Sequence, residues 1–248
     1  IYIPLGIVVL NSFNASKVFA WPPTSLTLVW WEKAIANDGV RAALLTSIKA
    51  GLGATVIAVV LGTALSFALV RYDFFGRTAI NFLVVLPISL PGIVTGIALN
   101  TSFTTVLKPF GISLGLFTVV LGHATFCVVV VFNNVSARLR RVGLSLEEAS
   151  SDLGASLFQT FRYVTLPQLQ SALVAGALLA FALSFDEIVV TTFTSGAGVQ
   201  TLPQWIFNNL FRPNQGPIVN AVAALLLLAF VGPVWLAERM SGAESRGA

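Results

Sequence analysis

The sequence predicts an all-α polytopic membrane protein with about six transmembrane helices. Three observations carry that prediction. Of the 248 residues, 56% are hydrophobic and only 10% are charged. A soluble domain carries roughly 25% charged residues, so this chain could not cover its apolar surface in water. The mean hydropathy is +0.88. Stretches long enough to cross about 30 Å of hydrocarbon recur along the chain.

The chain opens at Ile1 with IYIPLGIVVLNSF, which is apolar but shorter than a span, and reads as the end of a helix that begins upstream. A cleaved signal peptide fits less well, because a basic leader and a small-residue cleavage site are missing. Full spans are then expected at Thr46–Val70, Ala79–Val106, Leu114–Ser136, Leu169–Val190 and Pro217–Ala237. Pro87 and Pro91, in LPISLPGIVTGIAL, are expected to kink or break the second of these. TLPQWIFNN (Thr201–Asn209) reads as a short helix on or dipping into the outer face. We detect no internal repeat and expect one transmembrane domain over residues 1–248.

Basic residues orient the chain. If the helices alternate, Arg71, Arg77, Arg138, Arg140, Arg141, Arg162, Arg239 and Arg246 share the cytoplasmic side. Lys17, Lys33, Arg41, Lys108 and Arg212 spread over the longer loops opposite, with Lys49 at a helix edge. Trp21, Trp30, Trp31 and Trp205 also fall on the outer side, where indoles favour the headgroup level. The net charge of +4 is small and gives no nucleic-acid signal.

Against this apolar background Ser145–Pro167, SLEEASSDLGASLFQTFRYVTLP, is polar and patterned as two short helices. Ser145 with Glu148 forms a capping-box signature, and Ser156 with Gln159 repeats it. Leu146, Ala149, Ser150 and Leu153 share one helical face, and Leu157, Phe161 and Val164 another. Gly154 suits the left-handed residue that stops the first helix. Pro167 marks the start of the next element. One reading is an amphipathic interfacial linker, with Arg138, Arg140 and Arg141 near lipid phosphates. The other is a rigid protrusion that docks into a partner's groove.

The second reading gains from a resemblance. Glu148, Ala149, Ser150, Gly154, Val164, Leu166 and Pro167 stand at the spacing of the EAA motif of ABC-importer permeases, with Ser150 in place of alanine. LPISLPGIVTGIAL and FALSFDEIVVTTFTSGAGVQTLPQWIF are similar to permeases of the spermidine/putrescine branch, and the likeness covers nearly the whole chain. The resemblance implies a type I ABC importer permease fold in a bacterial inner membrane. It makes 145–167 a cytoplasmic coupling loop, with Glu147, Glu148, Ala149, Ser150, Leu153, Gly154, Ala155 and Pro167 as the ATPase-coupling residues. It further implies a cytoplasmic ATPase dimer, a second related permease and an extracytoplasmic solute-binding protein as partners.

Other features bound the chemistry. There is no Gly-Lys dipeptide and hence no Walker A loop, so ATP hydrolysis is expected in another chain, and no cofactor is expected in this one. The single histidine, His123, rules out paired-histidine zinc motifs, and no metal is expected. Within a span it reads either as a substrate-path residue or as a helix-packing one. The single cysteine, Cys127, allows no intrachain disulfide. Asp186 and Glu187, in SFDEIVV, either line the substrate path or are satisfied locally. Neighbouring helical positions diverge by about 100°, and Asp186 is the choice for the path. Many polyamine permeases carry an acidic residue where this chain has Gly92, and a proline where it has Val129. Related permeases handle aminophosphonates, opines or amino-acid-like solutes, so substrate stays open. A membrane enzyme would need Asp186, Glu187 and His123 to converge. A secondary transporter would usually show an inverted repeat.

Overall fold

The computed structural model describes residues 2–17, 23 and 25–244, with side-chain surroundings through residue 230. Ile1, Trp21 and Arg246 lie outside the described residues, as does the side chain of Arg239. The chain is helical: α1 Tyr2–Ser12, α2 Val29–Ala36, α3 Asp38–Arg71, α4 Arg77–Ser89, α5 Gly92–Ser102 and α6 Leu116–Val142 come first. Then follow α7 Ser145–Asp152, α8 Leu157–Thr160, α9 Leu166–Phe185, α10 Val189–Thr194, α11 Leu202–Leu210 and α12 Gly216–Glu244.

Among the described residues, three continuous helical runs are long and apolar enough to cross a membrane: Asp38–Arg71, Leu116–Val142 and Leu157–Phe185. The span expected at Ala79–Val106 is broken, with α4 and the run Gly92–Phe110 meeting at 109°. The break falls at Leu90 and Pro91, both extended, while Pro87 stays inside α4. Pro91 lacks an N–H and its ring disfavours helix at the residue before it, which is why the chain turns there. The span expected at Leu169–Val190 ends at Phe185 instead, and its tail forms α10. Glu187, just ahead of α10, supports the start of the new helix, because its carboxylate Oε1 accepts from Val190 N at 2.9 Å.

The chain packs as two compact units, residues 1–44 with 202–248, and residues 45–201. In the first, α12 packs on α1, α2 and α11. Trp30 and Trp205 are buried there, with Ala34, Leu202 and Val222. Trp30 Nε1 donates to Asn14 O at 2.8 Å. These two indoles are therefore core residues rather than members of a headgroup belt, because both are buried within the unit. Trp205 lies against Gly39, where a Cβ would sit 3.0 Å from Nε1. Trp31 is half-buried and stacks on Phe13 with ring centroids 5.1 Å apart. The short helix expected in TLPQWIFNN is α11.

In the second unit α6 is central. Its Ala124, Cys127, Val131, Val135 and Leu139 pack with Ala54 and Ala58 of α3, Leu169 and Ala180 of α9, and Val190 of α10. Lipid tails are as apolar as leucine, so such helices associate through close packing and hydrogen bonds. Small residues supply the closeness. A Cβ on Gly62 would lie 2.9 Å from Val128 O, and one on Gly176 would lie 3.3 Å from Val131 Cα. The Ser66 hydroxyl is 2.7 Å from Gly62 O and 3.1 Å from Phe132 O, and Asn100 Nδ2 donates to Phe193 O at 2.6 Å.

Candidate functional site

The 145–167 segment folds as a helix, a glycine turn and a second helix. At its centre Gly154 has φ +81°, the left-handed region that suits glycine. Ala155 N donates to Ser150 O at 3.2 Å and Gly154 N to Ser151 O at 2.9 Å, which is the Schellman pattern of a helix end. A Cβ at 154 would meet nothing within 4 Å, so the demand for glycine is conformational rather than steric.

The second capping box forms: Ser156 N donates to Gln159 Oε1 at 2.8 Å, and Gln159 N to Ser156 Oγ at 3.4 Å. The first does not. Leu144 holds the N-cap position of α7 without a side-chain cap, and Glu148 N donates to Leu144 O at 3.0 Å. Ser145 is already helical, so its hydroxyl cannot reach the amide three residues on. Pro167 falls in the first turn of α9, as expected, although α8 runs into α9 without a gap over Leu157–Phe185. A π turn at Phe161–Thr165, where Leu166 N donates to Phe161 O, leads into Pro167. A wider turn is one way a helix can accept a proline ring without clashing with the preceding carbonyls.

Outward, the loop presents Glu148, Ala149, Leu153, Leu157 and Phe158. Leu153 is 89% and Leu157 85% exposed. Inward, Glu147 Oε1 accepts from Arg71 Nη2 at 2.9 Å, and Ser150 Oγ lies 3.0 Å from Thr160 Oγ1. The hydroxyl by which Ser150 departs from alanine therefore joins the loop's two helices. At the same end of the unit Arg77 Nε donates to Leu69 O at 2.8 Å, and Arg138 Nε to Gln168 O at 2.9 Å. Asn133, Asn134, Arg138, Arg141 and Ser171 line a polar cavity of about 420 Å³.

Asp186 and Glu187 part company at the break between α9 and α10. Asp186 is exposed, whereas Glu187 is half-buried and lines a cavity of about 190 Å³ with Pro87, Leu90, Gly92, Thr95 and Phe126. That cavity sits at the elbow of the broken span. A Cβ on Gly92 would touch Val189 at 3.5 Å, an ordinary contact, so the site has room for a side chain there.

His123 is buried between helices. Thr191 Oγ1 donates to Glu187 O at 2.7 Å and so accepts from His123 Nε2 at 2.8 Å. His123 Nδ1 and Ser184 Oγ are 2.7 Å apart. Both ring nitrogens thus tie α6 to α9 and α10. His123→Leu is expected to cost about 1 kcal/mol, the usual scale of interhelical hydrogen bonds. The check is a thermal unfolding midpoint that falls by a few degrees in detergent, with transport per ATP retained. Among the described residues no group of three His, Cys, Asp or Glu side chains could hold a metal ion.

A helical membrane unit with a polar protruding loop and a broken span defines a transport component. Residues 54–237 match the family described as the binding-protein-dependent transport system inner membrane component, and the chain belongs to that family. It is a transport subunit of the inner membrane, which works with an ATPase and a solute-binding protein. It is 36% identical over 231 residues to the putrescine transport system permease protein PotI of Escherichia coli (strain K12), covering 92% of this chain and 81% of the relative. It is 34% identical over 239 residues to the spermidine/putrescine transport system permease protein PotC of Haemophilus influenzae, covering 96% and 90%. A crystal structure of a bacterial ABC transporter that imports the acidic polysaccharide alginate superposes with a TM-score of 0.69 at 14% identity, covering 96% of this chain and 89% of that one. The fold is that of a type I ABC importer permease.

Arg71 is the residue that sequence reading passed over. It counted there only as a basic loop residue, and nothing local to it signals a partner 76 residues away.

Proposed function

We propose that this chain moves a small organic cation, a polyamine such as putrescine or spermidine, inward by alternating access. The observation that carries the reading is the Glu187 carboxylate in the cavity at the elbow of the broken span. A half-buried carboxylate beside discontinuous helices is suited to receive a cation. Glu187 takes the path role in place of Asp186, which is exposed. His123 has a packing role. The names of the relatives support the same solute class. Gly92 is what favours the runner-up, an aminophosphonate, opine or amino-acid-like solute, since it leaves Glu187 as the acidic side chain lining that cavity.

The 145–167 loop faces the cytoplasm and docks an ATPase dimer through Glu148, Ala149, Leu153 and the turn at Gly154. Ser150 and Ala155 hold that turn in shape, and Pro167 lies in the helix that moves. A second related permease completes the path, and an extracytoplasmic binding protein delivers the solute. The grouping of exposed Leu153, Leu157 and Phe158 on one loop supports this assignment, because apolar surface gathered in one place marks an interaction site.

The test is labelled putrescine uptake by the complete complex in proteoliposomes. Uptake that needs both ATP and the binding protein is expected. Glu187→Gln is expected to cut uptake about tenfold, a typical coupling between sites, with ATP hydrolysis changed far less. Asp186→Asn should do less than Glu187→Gln. Uptake of an aminophosphonate with no uptake of putrescine would overturn the polyamine reading. Equal losses of uptake and hydrolysis in Glu187→Gln would return that residue to a structural role.

A further inference from the structure

We infer that Arg71 and Glu147 form a clasp through which the 145–167 loop drives α3 as well as α9. Arg71 is the last residue of α3. Its Nη2 donates to Gly143 O at 2.7 Å and to Glu147 Oε1 at 2.9 Å. The same oxygen accepts from Thr165 Oγ1 at 3.3 Å, in the π turn that leads into α9. One turn earlier on α3, the Phe67 ring meets Phe161 of that π turn edge-on, with centroids 5.6 Å apart. One carboxylate oxygen therefore joins the end of α3, the start of α7 and the root of α9.

Burial gives the clasp its stiffness. The Arg71 side chain is 9% exposed and that of Glu147 20%. A pair taken this far from water holds its geometry, because moving one partner leaves the other charge uncompensated. The neighbouring pair Arg77–Asp73 makes the contrast: those side chains are 38% and 93% exposed, and water screens them. Adjacent glutamates divide the work, since helical neighbours point about 100° apart. Glu148 faces outward and Glu147 inward. Thr165, which the clasp also holds, lies in the π turn, and such turns concentrate at functional places in helices. A push on the loop reaches α9 through the continuous chain and α3 through Arg71.

This inference rests on the reading of 145–167 as the docking loop, and the experiment separates the two. The complete complex is placed in nanodiscs with spin labels at Leu61→Cys and Leu178→Cys, both exposed positions on α3 and α9. Cys127 is buried and stays unlabelled. The change in label distance is measured on trapping with ATP and vanadate, and ATPase co-purification is scored alongside. Glu147→Gln and Arg71→Gln are expected to halve the distance change or more while the ATPase still co-purifies. The double variant should be no worse than either single one, as for residues that act as a pair. Thr165→Val should reduce the change less. A purely structural role would lower thermal stability and leave the distance change intact, which would overturn the inference. Loss of the ATPase in Glu147→Gln, additive losses in the double variant, or no distance change in the parent would overturn it too. Leu153→Asp should release the ATPase. If it does not, the docking reading fails. If it does while the clasp variants keep the full distance change, only the clasp fails.

Discussion

Replacing Gly154 with valine is expected to abolish ATP-driven uptake while the chain still inserts and folds. Gly154 sits at φ +81°, which costs a residue with a Cβ about 1–2 kcal/mol. A β-branched side chain is the least tolerant of it. Valine would meet no neighbour, since nothing lies within 4 Å of the Cβ position, so the membrane helices keep their packing. What changes is the turn. To escape the left-handed region the chain must give up the bonds from Ala155 N to Ser150 O and from Gly154 N to Ser151 O. The exposed Leu153 and Leu157, on either side of the turn, would then change their relative placement. Gly154→Asn, which tolerates this region, should retain a large part of the activity. The measurement is uptake against ATP hydrolysis in proteoliposomes, with trypsin resistance as the check on folding. Full ATP-driven uptake by Gly154→Val would remove the coupling assignment.

Gly62→Leu is expected to prevent stable folding. Its Cβ would lie 2.9 Å from both Val128 O and Val131 Cβ, and 3.0 Å from Phe132 N. Two of those atoms are backbone of α6, so no side-chain rotation relieves the contact. The helices must separate. Separation breaks the hydroxyl contact of Ser66 with Phe132 O and loosens Ala54 and Ala58 from Cys127, Val131 and Val135. Overpacking of this kind costs about 1–3 kcal/mol before the lost packing is added, against a total stability of about 5–15. The expected result is loss of the monodisperse peak in detergent. Gly6→Ala is the control. It lies in α1 with nothing within 4 Å of its Cβ, and should be neutral or stabilise by about 0.5–1 kcal/mol. A normal yield and melting curve for Gly62→Leu would show that α3 and α6 can part without loss.

Which features were legible in the sequence follows from the range of the forces that make them. The long apolar runs, the break at Pro91, the second capping box and the turn at Gly154 all depend on residues within about five positions of one another. Local rules were weaker where a distant group competed. Ser145 reads as a cap, yet it joins the helix itself. Trp30 and Trp205 read as interfacial, yet they fill a core.

The sequence by itself determined that this is a polytopic helical membrane protein with a rigid polar loop between two spans, because composition and local backbone chemistry suffice for both. Only the tertiary structure decided that Glu147 turns inward to Arg71, that Glu187 rather than Asp186 lines the cavity, and that His123 spends both nitrogens on neighbouring helices. Those outcomes join residues far apart in the chain, 76 positions for Arg71 and Glu147. They depend on how closely α3, α6 and α9 approach, and the close packing of side chains that sets this exists only once the helices have met.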